Sequence, residues 1–243
     1  MKTIRTILLV FLFCQGALSL VKAQGHDGKV YSVKHVGDTT VEASRVPALL
    51  DAEGISFERI ASVNWAAYPY QPYVLFRMAH TGNALLLQYH VEEECVAALA
   101  QDGGAVFRDA CCEFFVSPTS DGIYYNFETN CIGSLLMEAG TGRGDQRGEA
   151  PNEVASLLQR WASLGCEPFP LRRQPTTWDL VLVIPVEAFF RHTLTTFSGL
   201  TMRGNLYKCG HGLCRRHYVS WNPIRTPKPD FHQPAFFGTL IFE

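Results

Sequence analysis

The 243-residue sequence has little net charge and few charged residues. Its formal net charge is −2, and Asp, Glu, Lys and Arg together make up 18% of the chain. A nearly neutral chain gives no general electrostatic case for nucleic-acid binding, which favours a basic face. The remaining composition is that of an ordinary globular protein, which excludes a wholly disordered or collagen-like chain. The 12% aromatic content suits a β-sandwich with aromatic surface contacts better than a helical protein rich in surface charges.

Long apolar runs are absent after the first segment of the chain. Lys2 and Arg5 precede an apolar run from Ile7 to Val21, and a small Ala23 follows it, which predicts a secretory signal peptide over residues 1–23. The mature chain would begin near Gln24 and be periplasmic, cell-surface or secreted, with no membrane span. The alternatives are an uncleaved membrane anchor and a lipoprotein acylated at Cys14, although bulky residues precede that cysteine.

Short apolar segments separated by turn signals predict an all-β fold, a β-sandwich or jelly roll. The first two of these segments are expected to form a hairpin. The predicted strands are 73–80, 84–91, 95–99, 110–116, 123–131, 178–184, 200–208, 217–221 and 237–242. Residues 24–44 are expected to be an N-terminal extension, loose from Gly25 to Asp38, and residues 45–243 a single domain.

One helical insertion is predicted around residues 152–164. Asn152 is a suitable N-cap, Gly165 a suitable C-terminal stop, and Trp161 falls on the apolar face expected to join the core. The preceding segment from Gly140 to Gly148 is rich in glycine and is expected to be a flexible loop. It does not form a nucleotide motif, because no Lys-Ser/Thr pair follows and no βαβ context precedes it.

Seven cysteines follow the predicted signal peptide, and an odd number leaves at least one thiol without an intrachain partner. An exported chain meets an oxidising compartment, which allows disulfides. Cys209 and Cys214 flank a short glycine-containing loop, so we expect them to lie close enough to bridge. The apolar strands that carry Cys111, Cys112 and Cys131 predict buried thiols packed as small hydrophobic groups.

Two metal-based alternatives use residues present in the sequence. A zinc site could be built from the closely spaced ligands Cys209, His211, Cys214 and His217, although an oxidising compartment works against it. A haem or electron-transfer protein on a similar sandwich would need axial ligands, for which the residue types available are Met78, His80 and Met202.

Aromatic and polar side chains that could bind a sugar are interleaved along the chain, because rings cover apolar sugar faces while polar groups bind hydroxyls. The aromatic candidates are Trp65, Tyr68, Tyr70, Tyr73, Tyr124, Tyr125, Trp221 and Phe231, with core or turn packing as the alternative for each. Asn126 and Glu128 share one face of a predicted strand.

Glu113 lies in an apolar strand, where an unpaired carboxylate is costly. It therefore needs a pocket, a metal or an ion pair with Arg203 or Lys208. Paired with Glu128 it could also be the acid or nucleophile of a glycoside hydrolase.

Three segments carry a family resemblance. They read Arg203-Gly-Asn-Leu-Tyr-Lys-Cys-Gly with the chain onward to Glu243, Asp109-Ala-Cys-Cys-Glu-Phe-Phe-Val-Ser-Pro118, and Tyr124-Tyr-Asn-Phe-Glu-Thr-Asn-Cys-Ile-Gly133. The sequence resembles the carbohydrate-binding module family 9-like proteins exported by Bacteroidetes over residues 45–243. The resemblance implies a β-sandwich that binds a terminal sugar of a poly- or oligosaccharide without catalysis, in polysaccharide breakdown alongside partner glycoside hydrolases.

The resemblance also implies the binding residues. Glu113 matches an acidic residue of the family, and Asn126 stands where the modules have arginine. Phe231 and, as nearest candidate, Phe107 match two aromatic residues that clamp the sugar, with phenylalanine in place of tryptophan. Trp221 matches a tryptophan of the fold. The family carries structural calcium, whose ligands do not map clearly onto this chain, and no other cofactor is required.

These assignments predict a single site. Glu113, Asn126 and Glu128 are expected to converge with Phe231 and the proline-rich loop from Thr226 to Pro234 at one end of the sandwich. Strand-borne groups lower the ordering cost of binding. The ring of Phe231 is expected to be exposed.

Overall fold

The computed structural model describes residues 28–37 and 40–243. The predicted signal peptide lies outside these residues. No helix within the described part of the chain is long and apolar enough to cross a membrane.

The chain is built mostly of short β-strands, as predicted. They are β1 (Val30–His35), β2 (Glu58–Arg59), β3 (Ser62–Val63), β4 (Tyr73–His80), β5 (Ala84–Glu93), β6 (Val96–Ala98), β7 (Cys111–Ser117), β8 (Tyr124–Asn130), β9 (Leu135–Gly140), β10 (Arg147–Glu149), β11 (Gln159–Ala162), β12 (Phe169–Arg172), β13 (Thr176–Pro185), β14 (Thr201–Cys209), β15 (Tyr218–Ser220) and β16 (Gly238–Phe242). The α-helices are α1 (Val46–Ala52) and α2 (Asn152–Ala155).

The strands form a curled sheet whose two halves face each other as a sandwich. One layer has the order β10-β9-β8-β7-β14-β16-β1, and the other has the order β1-β4-β5-β13-β11. Strand β1 joins the layers, because Val30–Val33 pairs with β16 and Lys34–His35 pairs with β4, both in parallel. Strands β4 and β5 form the predicted hairpin.

Alternation along each strand creates the main core between the layers. Phe114 and Phe127 of the first layer pack with Phe76, Leu87 and Trp178 of the second. The outer face of the second layer is covered by α1, which buries Val46 and Leu50. The outer face of the first layer is covered by loops, which leaves room for a site there.

The predicted helix differs from the observed structure. The helix predicted over residues 152–164 stops after one turn at Ala155, and Gln159–Ala162 is a strand paired antiparallel with β13. Pro151, not Asn152, occupies the N-cap, without a side-chain capping bond. Trp161 packs on the cluster beneath α1 instead of on a helix face. The apolar spacing of this segment fits a helix, but pairing with β13 makes part of it a strand.

The segment expected to be loose before residue 38 contains β1, so that expectation was wrong. Tyr31 and Val33 point into the core while Val30 and Ser32 face outward, which is the alternation of a half-buried strand. The glycine-rich segment is also more ordered than predicted, because β9 ends at Gly140 and Arg147–Glu149 pairs back onto it.

Cys209 and Cys214, which we expected to lie close enough to bridge, are not bonded to each other. Cys214 is bonded to Cys95, 119 positions earlier in the chain, and Cys209 is a buried thiol. The prediction of buried thiols at Cys111, Cys112 and Cys131 is confirmed.

A buried ion pair lies between the layers. The Lys208 ammonium donates to the Glu93 carboxylate at 2.9 Å, and Trp178 Nε1 donates to the other carboxylate oxygen at 2.9 Å. Lys208 also donates to His217 Nε2 at 2.9 Å. Burial alone would lower the pKa of Lys208, but the Glu93 carboxylate together with Cys112 and Cys209 raises that pKa above its ordinary value. Lys208 is therefore not the ion-pair partner considered for Glu113.

Candidate functional site

A cavity of about 460 Å³ opens on the outer face of the first layer. Its lining includes three strand-borne glutamates, two phenylalanines and side chains from several loops. The lining residues are Phe107, Glu113, Glu128, Leu136, Glu138, Arg143, Gly144, Arg147, Cys209, His211, Tyr218, Pro229, Asp230, Phe231 and His232. Four of the five predicted site residues are in this set, and the fifth, Asn126, is bonded to one of them.

The strand period explains why these residues meet. On β8, Tyr125 and Phe127 point into the main core, so Tyr124, Asn126 and Glu128 point outward. Antiparallel pairing then places Glu113 of β7 directly opposite Glu128. Residues directly opposite on one face have close side chains, so the two carboxyl groups share one part of the cavity.

Both glutamates are buried, and neither forms an ion pair among the described residues. Burial raises the pKa of Glu113 well above its ordinary value, with further contributions from Cys209 and Glu128. Burial also raises the pKa of Glu128 to about 7; the Asn126 amide opposes the rise and the Glu138 carboxylate adds to it. Two carboxyls facing one cavity can thus offer both protonated donors and accepting oxygens.

Asn126 links the glutamates to an arginine from the neighbouring hairpin. Its Nδ2 donates to Glu128 Oε1 at 2.9 Å and to Glu138 Oε2 at 3.2 Å. Its Oδ1 accepts from Arg147, whose guanidinium also donates to the Gly142 carbonyl at 3.2 Å. The guanidinium lies 4.2 Å above the Tyr124 ring. Arg147 therefore brings a guanidinium beside position 126, where the family resemblance implies an arginine on the strand itself.

Phe231 lies beside the cavity but is more buried than predicted. Its ring stacks on Tyr207 with centroids 4.2 Å apart and planes 7° apart, and only 8% of the residue is exposed. Trp65 and Tyr218 contact it from other sides, each at 6.1 Å between centroids. The expectation of an exposed ring was wrong, because the loop that carries Phe231 folds onto β14. Replacing this ring should therefore also reduce stability.

Phe107 lines the same cavity from the turn before β7. It contacts the His211 ring edge-on at 6.1 Å, and its carbonyl accepts from the His211 amide at 3.2 Å. His211 in turn contacts the Tyr218 hydroxyl at 2.7 Å. The loop after β14 is thus tied to the cavity wall.

Sequence reasoning missed the charged pair at the rim. Arg143 Nε lies 2.9 Å from Asp230 Oδ1, and the arginine side chain is 63% exposed. His232 follows Asp230 and contacts the Tyr124 hydroxyl at 2.9 Å. Burial, together with Arg143 and Arg147, lowers the pKa of His232 to about 3, so the ring is neutral. These residues come from a hairpin and a loop far apart in sequence, and no local pattern joins them.

The other predicted aromatic candidates contact the core or neighbouring side chains. Trp221 is fully buried in the main core, as predicted, and Tyr125 packs there on Phe189. Tyr68 packs edge-on against Tyr218. Outside the cavity, the Tyr70 hydroxyl accepts from the Glu94 amide, and Tyr73 stacks with Arg59.

The zinc site predicted at Cys209, His211, Cys214 and His217 does not form. Cys214 is disulfide-bonded to Cys95 and has no free thiol, and His217 Nε2 accepts from Lys208 in the core. Among residues 28–37 and 40–243, the one group of three metal-ligating side chains is Cys111, Glu113 and Cys209. Two thiols do not suit calcium, which binds through oxygen ligands. Structural calcium therefore has no such cluster to support it in the described chain and stays a prediction.

The histidine considered as an axial ligand in the haem alternative, His80, is already hydrogen-bonded to the backbone. His80 Nε2 contacts the Glu243 carbonyl at 2.9 Å, and His80 Nδ1 accepts from the Gly82 amide at 3.2 Å. Both ring nitrogens are thus engaged by the backbone, which leaves neither for an iron atom.

The sandwich and its outer-face cavity place the chain among β-sandwich proteins with a small-ligand site. Residues 44–242 match the family model of carbohydrate-binding family 9. The chain therefore belongs to this family, which confirms the relationship predicted from its motifs. No curated protein matches the chain.

Solved structures agree with the family assignment. A candidate carbohydrate-binding protein from Bacteroides uniformis is 51% identical, with a TM-score of 0.87 over 89% of this chain and 100% of its own. Family 9 modules from Caldicellulosiruptor kristjanssonii, in complex with glucose and with cellotriose, are 10% identical. They match 88% of this chain and 96% and 94% of their own, with TM-scores of 0.57 and 0.56, and show the shared fold.

Proposed function

We propose that the cavity lined by Phe107, Glu113, Glu128 and Phe231 binds the terminal sugar of an oligo- or polysaccharide without cleaving it. The observation that carries this proposal is the meeting of two buried carboxyl groups and two phenyl rings in one open cavity. Sugar hydroxyls need paired donors and acceptors, and the apolar face of a sugar ring needs a flat partner. The cavity volume of about 460 Å³ lies in the range of small-ligand sites.

Preorganisation supports this role. Glu113 and Glu128 sit on neighbouring strands of a paired sheet, so their backbones do not reorganise on binding. Asn126 and Arg147 hold the Glu128 carboxyl in place through side-chain contacts. The relatives bound to glucose and cellotriose make these sugars the first ligands to test.

Calorimetric titration with glucose, cellotriose and a panel of plant and host oligosaccharides tests the proposal. We expect at least one sugar to bind, and we expect Glu128→Gln and Phe231→Leu to weaken it about tenfold, equivalent to about 1.4 kcal/mol. Matched controls are Glu149→Gln and Tyr73→Leu, because both side chains are exposed and lie outside this cavity. The absence of binding across the panel, or equal affinity in all four variants, would refute the proposal.

A glycoside hydrolase is the competing activity, because Glu113 and Glu128 face each other in one cavity. Retaining enzymes hold one carboxylate ionised as nucleophile beside a protonated acid. Here burial raises the pKa of Glu113 well above its ordinary value and that of Glu128 to about 7, so below pH 7 both carboxyls are mainly protonated and neither is ionised as a nucleophile. Release of reducing ends by the wild type, lost in Glu113→Gln, would establish hydrolysis and displace the binding-only proposal.

We also propose that the chain is exported and works beside partner glycoside hydrolases on polysaccharide. The Cys95–Cys214 disulfide supports export, since such bonds persist in oxidising compartments. N-terminal sequencing of the protein from the producing cell should find a start near Gln24. An intact Met1 in a cytosolic fraction would contradict export.

A further inference from the structure

Three side chains with metal-ligand chemistry meet at one wall of the cavity. Cys111 and Glu113 are two residues apart on β7 and therefore share a face, and Cys209 of β14 lies directly opposite Cys111. We call Cys111, Glu113 and Cys209 the thiol–carboxyl cluster. Its ligand atoms all lie within 4.8 Å of one another, and all three residues are buried.

The cluster leaves Glu113 poorly satisfied. Among the described contacts, its carboxyl group hydrogen-bonds only to the Cys209 thiol, at 3.0 Å from Sγ to Oε1. A buried carboxyl with one weak donor lacks the ion pair or hydrogen bonds that usually offset its burial. A cation placed among the three ligand atoms would supply the missing partner.

The geometry fits zinc. Zinc–sulfur bonds of about 2.3 Å and zinc–oxygen bonds of about 2.1 Å separate tetrahedral ligands by about 3.6–3.8 Å. The cluster therefore needs only small side-chain adjustments to reach this spacing. Two thiolates with one carboxylate suit a borderline-soft ion such as zinc, whereas calcium and magnesium prefer oxygen ligands alone.

Access to the cavity leaves a coordination position open. Cys209 and Glu113 both line the cavity, so a fourth ligand can approach from that side. Three protein ligands with an open position are typical of zinc sites that bind a water or an external ligand.

We propose that Cys111, Glu113 and Cys209 bind one zinc ion whose fourth ligand is water or a hydroxyl group of the bound sugar. Binding replaces the protons of the two thiols and the carboxyl, which leave to solvent. Metal affinity should accordingly increase with pH.

Cobalt titration of the purified, reduced and metal-stripped protein tests the site, with Co²⁺ as the spectroscopic substitute for Zn²⁺. We expect one Co²⁺ per chain, a thiolate-to-cobalt charge-transfer band, tetrahedral ligand-field bands, and loss of all of them when Zn²⁺ is added. A spectrum of hydrated Co²⁺ alone would overturn the proposal. A Cys111–Cys209 disulfide, found by mass spectrometry in protein purified without reductant, would also overturn it, because the bond removes both thiolates.

Cysteine-to-serine variants test whether the ion binds at the thiol–carboxyl cluster. Cys111→Ser and Cys209→Ser should each abolish the charge-transfer band, while Cys166→Ser should retain it because Cys166 is exposed and outside the cluster. A band that persists in Cys209→Ser would place the metal elsewhere and refute the assignment. The wild-type titration does not depend on the variants folding. Sugar titration of metal-free protein is a separate measurement, so failure of sugar binding and failure of metal binding are distinguishable.

Discussion

The substitution Glu128→Gln isolates the energetic cost of keeping a carboxyl in the cavity. The side chain is buried, and Asn126 Nδ2 donates to its Oε1 at 2.9 Å, a bond that a glutamine oxygen can also accept. The variant therefore keeps the shape and the amide contact but removes the titration. Any pH-dependent difference from the wild type then reports on ionisation.

The direction and size of the pH-dependent change in unfolding free energy follow from the pKa of Glu128. Burial raises the pKa of Glu128 from its ordinary 4.5 to about 7. Below pH 4.5 the group is protonated in both states and contributes no difference. As pH rises from 4.5 towards 7, the unfolded chain ionises first and becomes relatively more stable, so the native protein loses stability. Above pH 7 the loss levels off at about 3 kcal/mol.

Urea unfolding followed by tryptophan fluorescence measures this effect across the pH range. The unfolding free energy of Glu128→Gln minus that of the wild type should increase by about 3 kcal/mol between pH 4.5 and pH 8. The Glu113 carboxyl changes this free-energy difference in the same direction, because Glu113 ionises more easily in the folded variant once the facing Glu128 charge is removed. Glu149→Gln, at an exposed position outside this cavity, is the matched control. Parallel curves for wild type and Glu128→Gln would refute the reasoning.

Three further predictions concern stability and can be measured by urea unfolding at neutral pH. Replacing both Cys95 and Cys214 with serine should lower the unfolding free energy by up to about 5 kcal/mol, because the bond closes a loop of 119 positions; an unchanged midpoint would contradict this. Lys208→Met should cost about 3–5 kcal/mol by leaving Glu93 charged and unpaired, and adding Glu93→Gln should recover most of it. Phe231→Leu should cost about 1 kcal/mol through its lost ring stack, and a fully neutral result would mean the ring is not packed as observed.

Much of the fold could be predicted from sequence because alternation is a local property. The β4–β5 hairpin followed from two apolar runs around a Gly-Asn turn, and the outward face of β8 followed from residue parity. Glu113 could be singled out because a carboxylate in an apolar strand is costly wherever that strand lies. These inferences needed no knowledge of partners distant in sequence.

Features that depend on distant partners could not be predicted. Leu158 and Trp161 fit a helical period equally well, and only pairing with β13 makes Gln159–Ala162 a strand. The disulfide joins cysteines 119 positions apart, whereas loop length favoured a neighbour. The Arg143–Asp230 pair at the cavity rim joins a hairpin to a loop, and neither segment indicates the other.

A crystal structure with the oligosaccharide that binds best in calorimetry tests the central claim most directly. We expect a terminal sugar ring in the cavity beside Phe231, with a hydroxyl within hydrogen-bond distance of the Glu113 or Glu128 carboxyl. A sugar bound elsewhere, such as the second cavity beside Asp102 and Arg160, with no density between Phe107 and Phe231, would contradict it.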